Sequence, residues 1–389
     1  GRYYIPVYAN TNVRLSGSEL FYEEYYNWDG TTFSTDGQSV PALGSQIGGR
    51  TTFSDGSPKD PRTVVDPNIK PMFQNEYVLG FQQALSDGWA FGVKYTNRRL
   101  KSAIDDICEG DLSESWALAN GYTAGQAAAI GGAIGNCFLY NVGGDLTANV
   151  DLDGTGTLTP VTIPASALLL PKPQRKYDAL EFTLERQWDK KWNASLSYVL
   201  SWLKGNTEGY VKSDNGQDDA GITQDFDHPG LMEGSYGYLP NDRRHAFKAS
   251  ASYQSTDEWR FGGSFIAQSG RPKNCFGNYQ GPLVGIDAST AYGAASFWCY
   301  GQLNSRGSLG RLPWTFDTSV QVAYTPMWAK GLSMTVDVLN IFNERGVRAI
   351  DEAGENPGSP GSVATNYQRP FVGSTQRARS VRLTASYDF

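Results

Sequence analysis

Histidine is the side chain whose ordinary proton affinity suits acid–base work near neutral pH, and this 389-residue chain has two. His228 lies in Asp225-Phe226-Asp227-His228-Pro229, and His245 follows Arg243-Arg244. An acid–His pair can activate a hydroxyl nucleophile. No serine stands in the strand-to-helix elbow that would present one. The pattern is that of a loop histidine beside turn-forming acids, and the chain is expected not to be an enzyme. His245 is expected at a strand mouth, bonded locally. Two acidic runs, Asp151-Leu152-Asp153-Gly154 and Asp214-Asn215-Gly216-Gln217-Asp218-Asp219, offer clustered oxygens of the kind calcium takes. Asp151, Asp153, Asp214, Asp218 and Asp219 are therefore candidate calcium ligands, and calcium is the one cofactor considered. Neither run carries the closing Glu of a calcium loop, and a solvated acidic turn is the alternative.

Cys108, Cys137, Cys275 and Cys299 fall as two local couples, each inside one long connection. The expectation is two loop disulfides in an oxidising compartment, the alternative being four reduced thiols. Closing a loop of about 30 residues restricts the unfolded chain by ~3–4 kcal/mol in the entropy account. Tyr236 and Tyr238 around Gly237, and Trp298 and Tyr300 around Cys299, are candidates for stacking on sugars or apolar ligands; packing within the loops is the competing role. Thr123–Gly131 begins with Thr-x-x-Gln, a capping box, and predicts a short helix packed beside Cys137.

What must hold these loops is a set of long alternating segments. They are Asn75–Ser86 and Trp89–Leu100, Lys176–Trp188 and Lys191–Lys204, His245–Gln254 and Glu258–Gly270, Pro313–Pro326 and Gly331–Asn343, then Gln376–Phe389. Twelve strand residues reach ~40 Å, or ~28 Å across a membrane when tilted by ~45°. One face carries Tyr77, Leu79, Phe81, then Leu196, Tyr198, Trp202, then Val336 and Val338. The other carries Glu76, Lys94, Glu181, Lys248, Asp337 and Arg382. An aromatic content of 13% suits two interfacial girdles. No apolar run approaches the ~20 residues of a membrane-spanning helix, so a helical membrane protein is excluded. The net charge of −7 argues against nucleic acid as a partner.

The expected fold is all-β, a transmembrane antiparallel β-barrel of the bacterial outer membrane. Short turns lie in the periplasm and long loops outside, so the C-terminus is periplasmic. Residues 1–9 are expected as a strand stub, 10–74 as an extracellular loop, and 75–389 as nine transmembrane strands with long outer loops. Nine strands and a stub leave an edge that lipid does not tolerate. Further strands are expected upstream or in another chain, with an intact polypeptide much heavier than 42.5 kDa.

Leu339–Gly346 (LNIFNERG), Pro240–Gln254, Phe265–Pro272, Gly209–Gly221 and the terminal SVRLTASYDF carry a resemblance to the C-terminal half of TonB-dependent receptors, the Oar-like branch in particular. The resemblance implies a 22-stranded barrel, an N-terminal plug domain that this chain lacks, and work as a receptor or transporter for a large or scarce substrate. It also implies the TonB complex as partner, engaged through an upstream plug. The terminal segment resembles the signal read by the barrel-assembly machinery, with Arg382, Tyr387 and Phe389 in its polar and hydrophobic positions and Thr384 where Gly is usual. Outer-membrane lipid, lipopolysaccharide and surface lipoproteins complete the expected partners. The second functional reading is a surface adhesion or structural protein acting through its outer loops.

Overall fold

A strand whose alternate residues are apolar on one side and charged on the other needs two different environments, and the architecture supplies them. In a computed structural model, described for residues 1–6, 20–28, 43–56, 60–217, 220–371 and 373–388, the alternating segments form one antiparallel sheet whose strands follow chain order. Its members are β1 (Arg2–Tyr4), β2 (Phe73–Ala84), β3 (Trp89–Ser102), β4 (Arg175–Arg186), β5 (Trp192–Gly205), β6 (His245–Gln254), β7 (Trp259–Gln268), β8 (Thr315–Tyr324), β9 (Leu332–Leu339) and β10 (Ser380–Tyr387). A two-residue strand, Gly237–Tyr238, extends the far end of β5. Short turns join the strands at one end and long connections at the other.

The sheet is two-faced as the alternation requires. Tyr77, Leu79, Phe81, Phe261, Phe316, Val336 and Leu383 are all exposed large hydrophobics on the same face, Leu79 at 76% and Leu383 at 75%. On the opposite face the charges are matched across strands. Glu76 faces Arg98, Glu181 faces Lys94, and Asp337 faces Arg382, each pair directly in register and each ion-paired. Pairing neutralises ions that would otherwise disfavour the sheet.

Aromatic rings bracket the apolar face. Near the turns, Trp89 meets Trp192 edge-on at 5.8 Å and Trp259 stacks on Tyr324 at 4.4 Å. The Arg186 guanidinium lies 3.8 Å over Trp192. Toward the loops, Tyr198, His245, Trp314 and Phe316 stack in a row, and the Tyr198 hydroxyl and His245 Nδ1 are 2.8 Å apart. Trp314 and Tyr324 are ten residues apart, ~33 Å along a strand and ~23 Å after a ~45° tilt, close to the ~25 Å apolar band of an outer-membrane barrel.

The edges differ from the sequence expectation in places. β9 stops at Leu339 rather than Asn343 because Asn340 takes a left-handed backbone, φ 51°. Its amide group then bonds the Glu344 N–H and the carbonyls of Glu344 and Arg377, which replaces ladder bonds with a turn. Within the segment expected as a plain loop, Leu20–Trp28 pairs with Leu43–Asp55 as a hairpin.

The long connection between β3 and β4 is a small folded unit of its own. α1 (Gly110–Ala119) and α2 (Ala124–Gly135) pack together with strands Leu146–Asp151 and Leu158–Ile163. Their core is Ile107, Ala117, Ile130, Ile134, Phe138, Leu146, Val161 and Ile163. The capping box is present: Gln126 N–H donates to Thr123 Oγ1 and Thr123 N–H to Gln126 Oε1. The helix runs one turn past the expected end because Ile130 and Ile134 both face that core. α1 was not visible as a helix in the sequence. Its N-cap is a Glu, Glu109, rather than the usual Ser, Thr, Asp or Asn, and its buried residues are small, Ser113 and Ala117.

Candidate functional site

The long loops that follow β3, β5, β7 and β9, first to fourth below, rise from one end of the sheet, and each brings polar residues to a shared interior. Arg306, from the β7–β8 loop, is the hub. Its Nε donates to Asp214 Oδ2 at 2.6 Å, and its Nη1 to Asp225 Oδ2 at 3.3 Å and to the Asn206 carbonyl at 3.2 Å. Glu208 Oε1 lies 3.6 Å from Nη2. Lys212 Nζ takes the other Asp225 oxygen at 2.8 Å and lies 5.3 Å from the ring centres of both Phe276 and Phe297. Arg306, Lys212, Asp214 and Asp225 have no exposed side-chain surface.

The network ties the loops together. Glu352, from the β9–β10 loop, accepts from Arg271 at 3.2 Å and from Asn274 at 2.8 and 3.1 Å. Asn274 also donates to Asp214 at 3.2 Å. On the other side, Asp105 of the first loop accepts from Thr223 of the second at 2.7 and 2.9 Å. Glu109 of the first accepts from Ala288 N–H of the third at 3.1 Å and pairs with His228 of the second at 2.7 Å. Burial in a low-dielectric interior raises the cost of leaving any member unpaired.

The electrostatics follow. Burial and the neighbouring Asp214 carboxylate push Glu208 up to about 7. Burial does the same to Glu352, also to about 7, with Arg271 opposing and Asp214 adding. Asp214 itself is buried, but Arg306 and Lys212 hold it below the usual range. Glu352 thus binds a proton in the folded loops at pH values where an unfolded Glu has lost it. Its contribution is complete below about 4.5 and fades as pH rises through about 7. The Asn274 amide, which donates to Glu352, should therefore exchange hydrogen faster at pH 8 than at pH 6 after correction for intrinsic rates. Glu352→Gln should flatten that difference, and an unchanged difference in the variant would assign it elsewhere.

Below this canopy, at the mouth of the charged face, lies a cavity of about 290 Å³ lined by Gln74, Arg98, Arg175, Tyr177, Leu203, Glu208, Leu239 and Asn241. Arg175 is mostly buried, and its Nη1 donates to the Glu208 carbonyl while Nη2 donates to Gln74 at 3.2 Å. Guanidinium, carboxyl, amide and phenol here surround one small space, a lining suited to a polar ligand.

The residues singled out in the sequence are distributed differently. His228 pairs with Glu109 rather than with its sequence neighbours. Asp225 goes to Lys212 and Arg306, and Asp227 accepts from Tyr292 at 2.9 Å. His245 sits at the strand mouth in the aromatic row. Asp151 accepts from Gly154 and Gly156 N–H at 2.9 and 2.8 Å, and Asp153 from Thr155, so both shape the turn between two strands. Asp214 is committed to Arg306 and Asn274. Asp218, Asp219 and Phe389 lie outside the described residues. Cys108–Cys137 and Cys275–Cys299 are both disulfides.

Trp298 Nε1 donates to Glu233 at 2.9 Å and Tyr300 Oη to the Gly354 carbonyl at 2.7 Å, so these two rings fasten loops to one another. Tyr236 and Tyr238 line a second cleft, on the apolar-face side. Arg382 bonds Asp337 at 2.9 Å and Tyr387 faces Leu332. Arg306, Lys212, Arg271 and Glu352 were not visible as a group, being separated by as many as 140 residues (212 to 352) in four unrelated sequence contexts.

The chain is 28% identical over 300 residues to a protein named TonB-dependent transporter Oar of Myxococcus xanthus, covering 75% of this chain and 23% of that protein. It therefore spans about a quarter of the length of this curated relative. Solved structures it resembles include the ferric-catecholate import receptor Fiu of Escherichia coli K12, with TM-score 0.40, 12% identity, and 83% of this chain and 28% of that one covered. The siderophore receptor PiuA of Acinetobacter baumannii gives TM-score 0.40 and 10% identity, with 82% and 29% covered. Residues 1–319 match the family described as outer membrane beta barrel domain. With that match over most of its length, and with an apolar outer face, ion-paired inner face and one-sided loops, the chain belongs to the outer membrane β-barrel domain family and resides in the outer membrane.

Proposed function

We propose that this chain is the barrel portion of a TonB-dependent transporter, with its interior closed by an upstream plug, that moves a large or scarce substrate across the outer membrane. The observation that carries the reading is the likeness to the Myxococcus protein over three quarters of the chain. The loops support it. They are joined by buried ion pairs into one canopy over a polar cavity, an arrangement that can hold a ligand at the mouth before passage. A purely adhesive barrel needs no such cavity at the mouth of its charged face.

The test uses the protein as purified from outer membranes and, as probe, the periplasmic domain of the host's TonB. Saturable binding of the two in detergent is expected, together with loss of a growth or uptake phenotype when TonB is disrupted. No binding and no TonB-dependent phenotype would overturn transport and leave the structural, adhesive role.

A further inference from the structure

At the rim of the canopy, where Lys204 continues the apolar strand face, a cationic cleft is left without an assigned role. It measures about 550 Å³ and is lined by Lys204, Tyr238, Ser305, Gly307, Ser308 and Arg311 among others. The register places Lys204 opposite Tyr238, and Lys204 shares its strand face with Trp202, Tyr198 and Leu196 by simple alternation. Lys176 flanks the cleft, donating to the Tyr236 hydroxyl at 3.3 Å. Lys204, Arg244 and Arg311 lie 4.4, 5.1 and 5.5 Å from the centre of the Tyr238 ring.

The charges do not cancel. Asp242 is paired with Arg311 and, at 3.7 Å, with Arg244. Lys176 and Lys204 meet no carboxylate among the described residues; their partners are the two tyrosines. The guanidinium of Arg244, with Lys204 beside it, holds the Tyr238 phenol below its ordinary range. The floor adds neutral donors. Ser305 and Ser308 are exposed and form a turn whose hydroxyls join the lining, and Gly310, at φ 82°, has only the Lys273 side chain near it.

Height above the membrane decides the occupant. Lys204 is twelve residues beyond Trp192 of the turn-side belt, ~40 Å along the strand and ~28 Å vertically at a ~45° tilt. That is just past the ~25 Å apolar band, at the level of the outer headgroups. A cleft opening there, continuous with the apolar face, is reached from the lipid side. We infer that Lys176, Lys204, Arg311 and the Ser305–Ser308 turn form a site for a phosphorylated glycolipid headgroup of the outer leaflet.

The test titrates the protein purified from outer membranes with lipid A carrying both phosphates, and with the same lipid dephosphorylated, reading bound lipid by native mass spectrometry. The phosphorylated form should bind about tenfold more tightly, each lysine adding the attraction a basic residue has for an anionic surface. Lys176→Gln with Lys204→Gln should erase that preference, and Ser308→Asp should do so without touching a lysine. Lys94→Gln with Lys248→Gln, on the inner face, should keep it. An undiminished preference in both cleft variants would overturn the site. Displacement of the lipid by millimolar inorganic phosphate would overturn the lipid assignment and leave a soluble-anion site.

Discussion

Arg306→Leu should loosen the loop canopy as a unit, with a loss of about 3–5 kcal/mol, the usual cost of removing one partner of a buried ionic cluster. In the intact network two cations, Arg306 and Lys212, face Asp214, Asp225 and Glu208. The count is already one carboxylate over, and Glu208, pushed up to about 7 by burial and then by Asp214, can relieve that excess by holding a proton. Without Arg306, Lys212 alone would face two buried aspartates. Arg306→Lys should recover only part of the loss, because an ammonium cannot reach Asp214, Asp225 and the Asn206 carbonyl from one planar fork.

The decisive comparison adds Asp214→Asn and Asp225→Asn to Arg306→Leu. If unpaired charge is the cause, the triple variant should be more stable than the single one. Limited proteolysis and hydrogen exchange of the loops would measure both. A triple variant no better than the single would show that Arg306 acts by packing against Phe297, and the electrostatic account would fail.

Leu196→Arg should cost about 2–4 kcal/mol, the penalty of a cation near the membrane midplane on the lipid face of a barrel. Leu196 lies between Leu184 and Ala249 on neighbouring strands and, along its own strand, between Trp192 and Trp202. Ser195→Arg, one residue earlier, turns the same guanidinium to the inner face opposite Glu185 and should be close to neutral. Denaturant titration of the protein folded into phospholipid vesicles separates the two. Equal costs, or a larger one for Ser195→Arg, would mean that the faces are reversed and that the membrane assignment is wrong.

These two experiments probe parts of the molecule that were unequally legible in the sequence. The alternation around Leu196 was plain because strand geometry is local: every second side chain points the same way whatever the rest of the chain does. Short turns at Asp87-Gly88 and Asp189-Lys190 fixed which strands pair. The capping box at Thr123 was visible for the same reason, since its two bonds span three residues. The Arg306 cluster was not. Asp214 looked like a calcium candidate in an open acidic turn, and its partner stands 92 residues away. His228 read as a loop histidine beside turn-forming acids, and the acid it pairs with is Glu109, 119 residues distant. Tyr236 and Tyr238 were recognised as a pair, but not that Lys176, Lys204, Arg244 and Arg311 gather around them.

The sequence by itself determined the membrane-compatible sheet, the strand order, the end that carries the loops and the cysteines that join. All of these rest on periodicity and short spacing, which the backbone converts directly into geometry. Only the tertiary structure decided which charges are buried together, where the mouth cavity and the lipid-side cleft lie, and that the loops act as one body. Such groupings depend on long-range closure of irregular segments. No local preference encodes them, and burial alone selects which partner neutralises which.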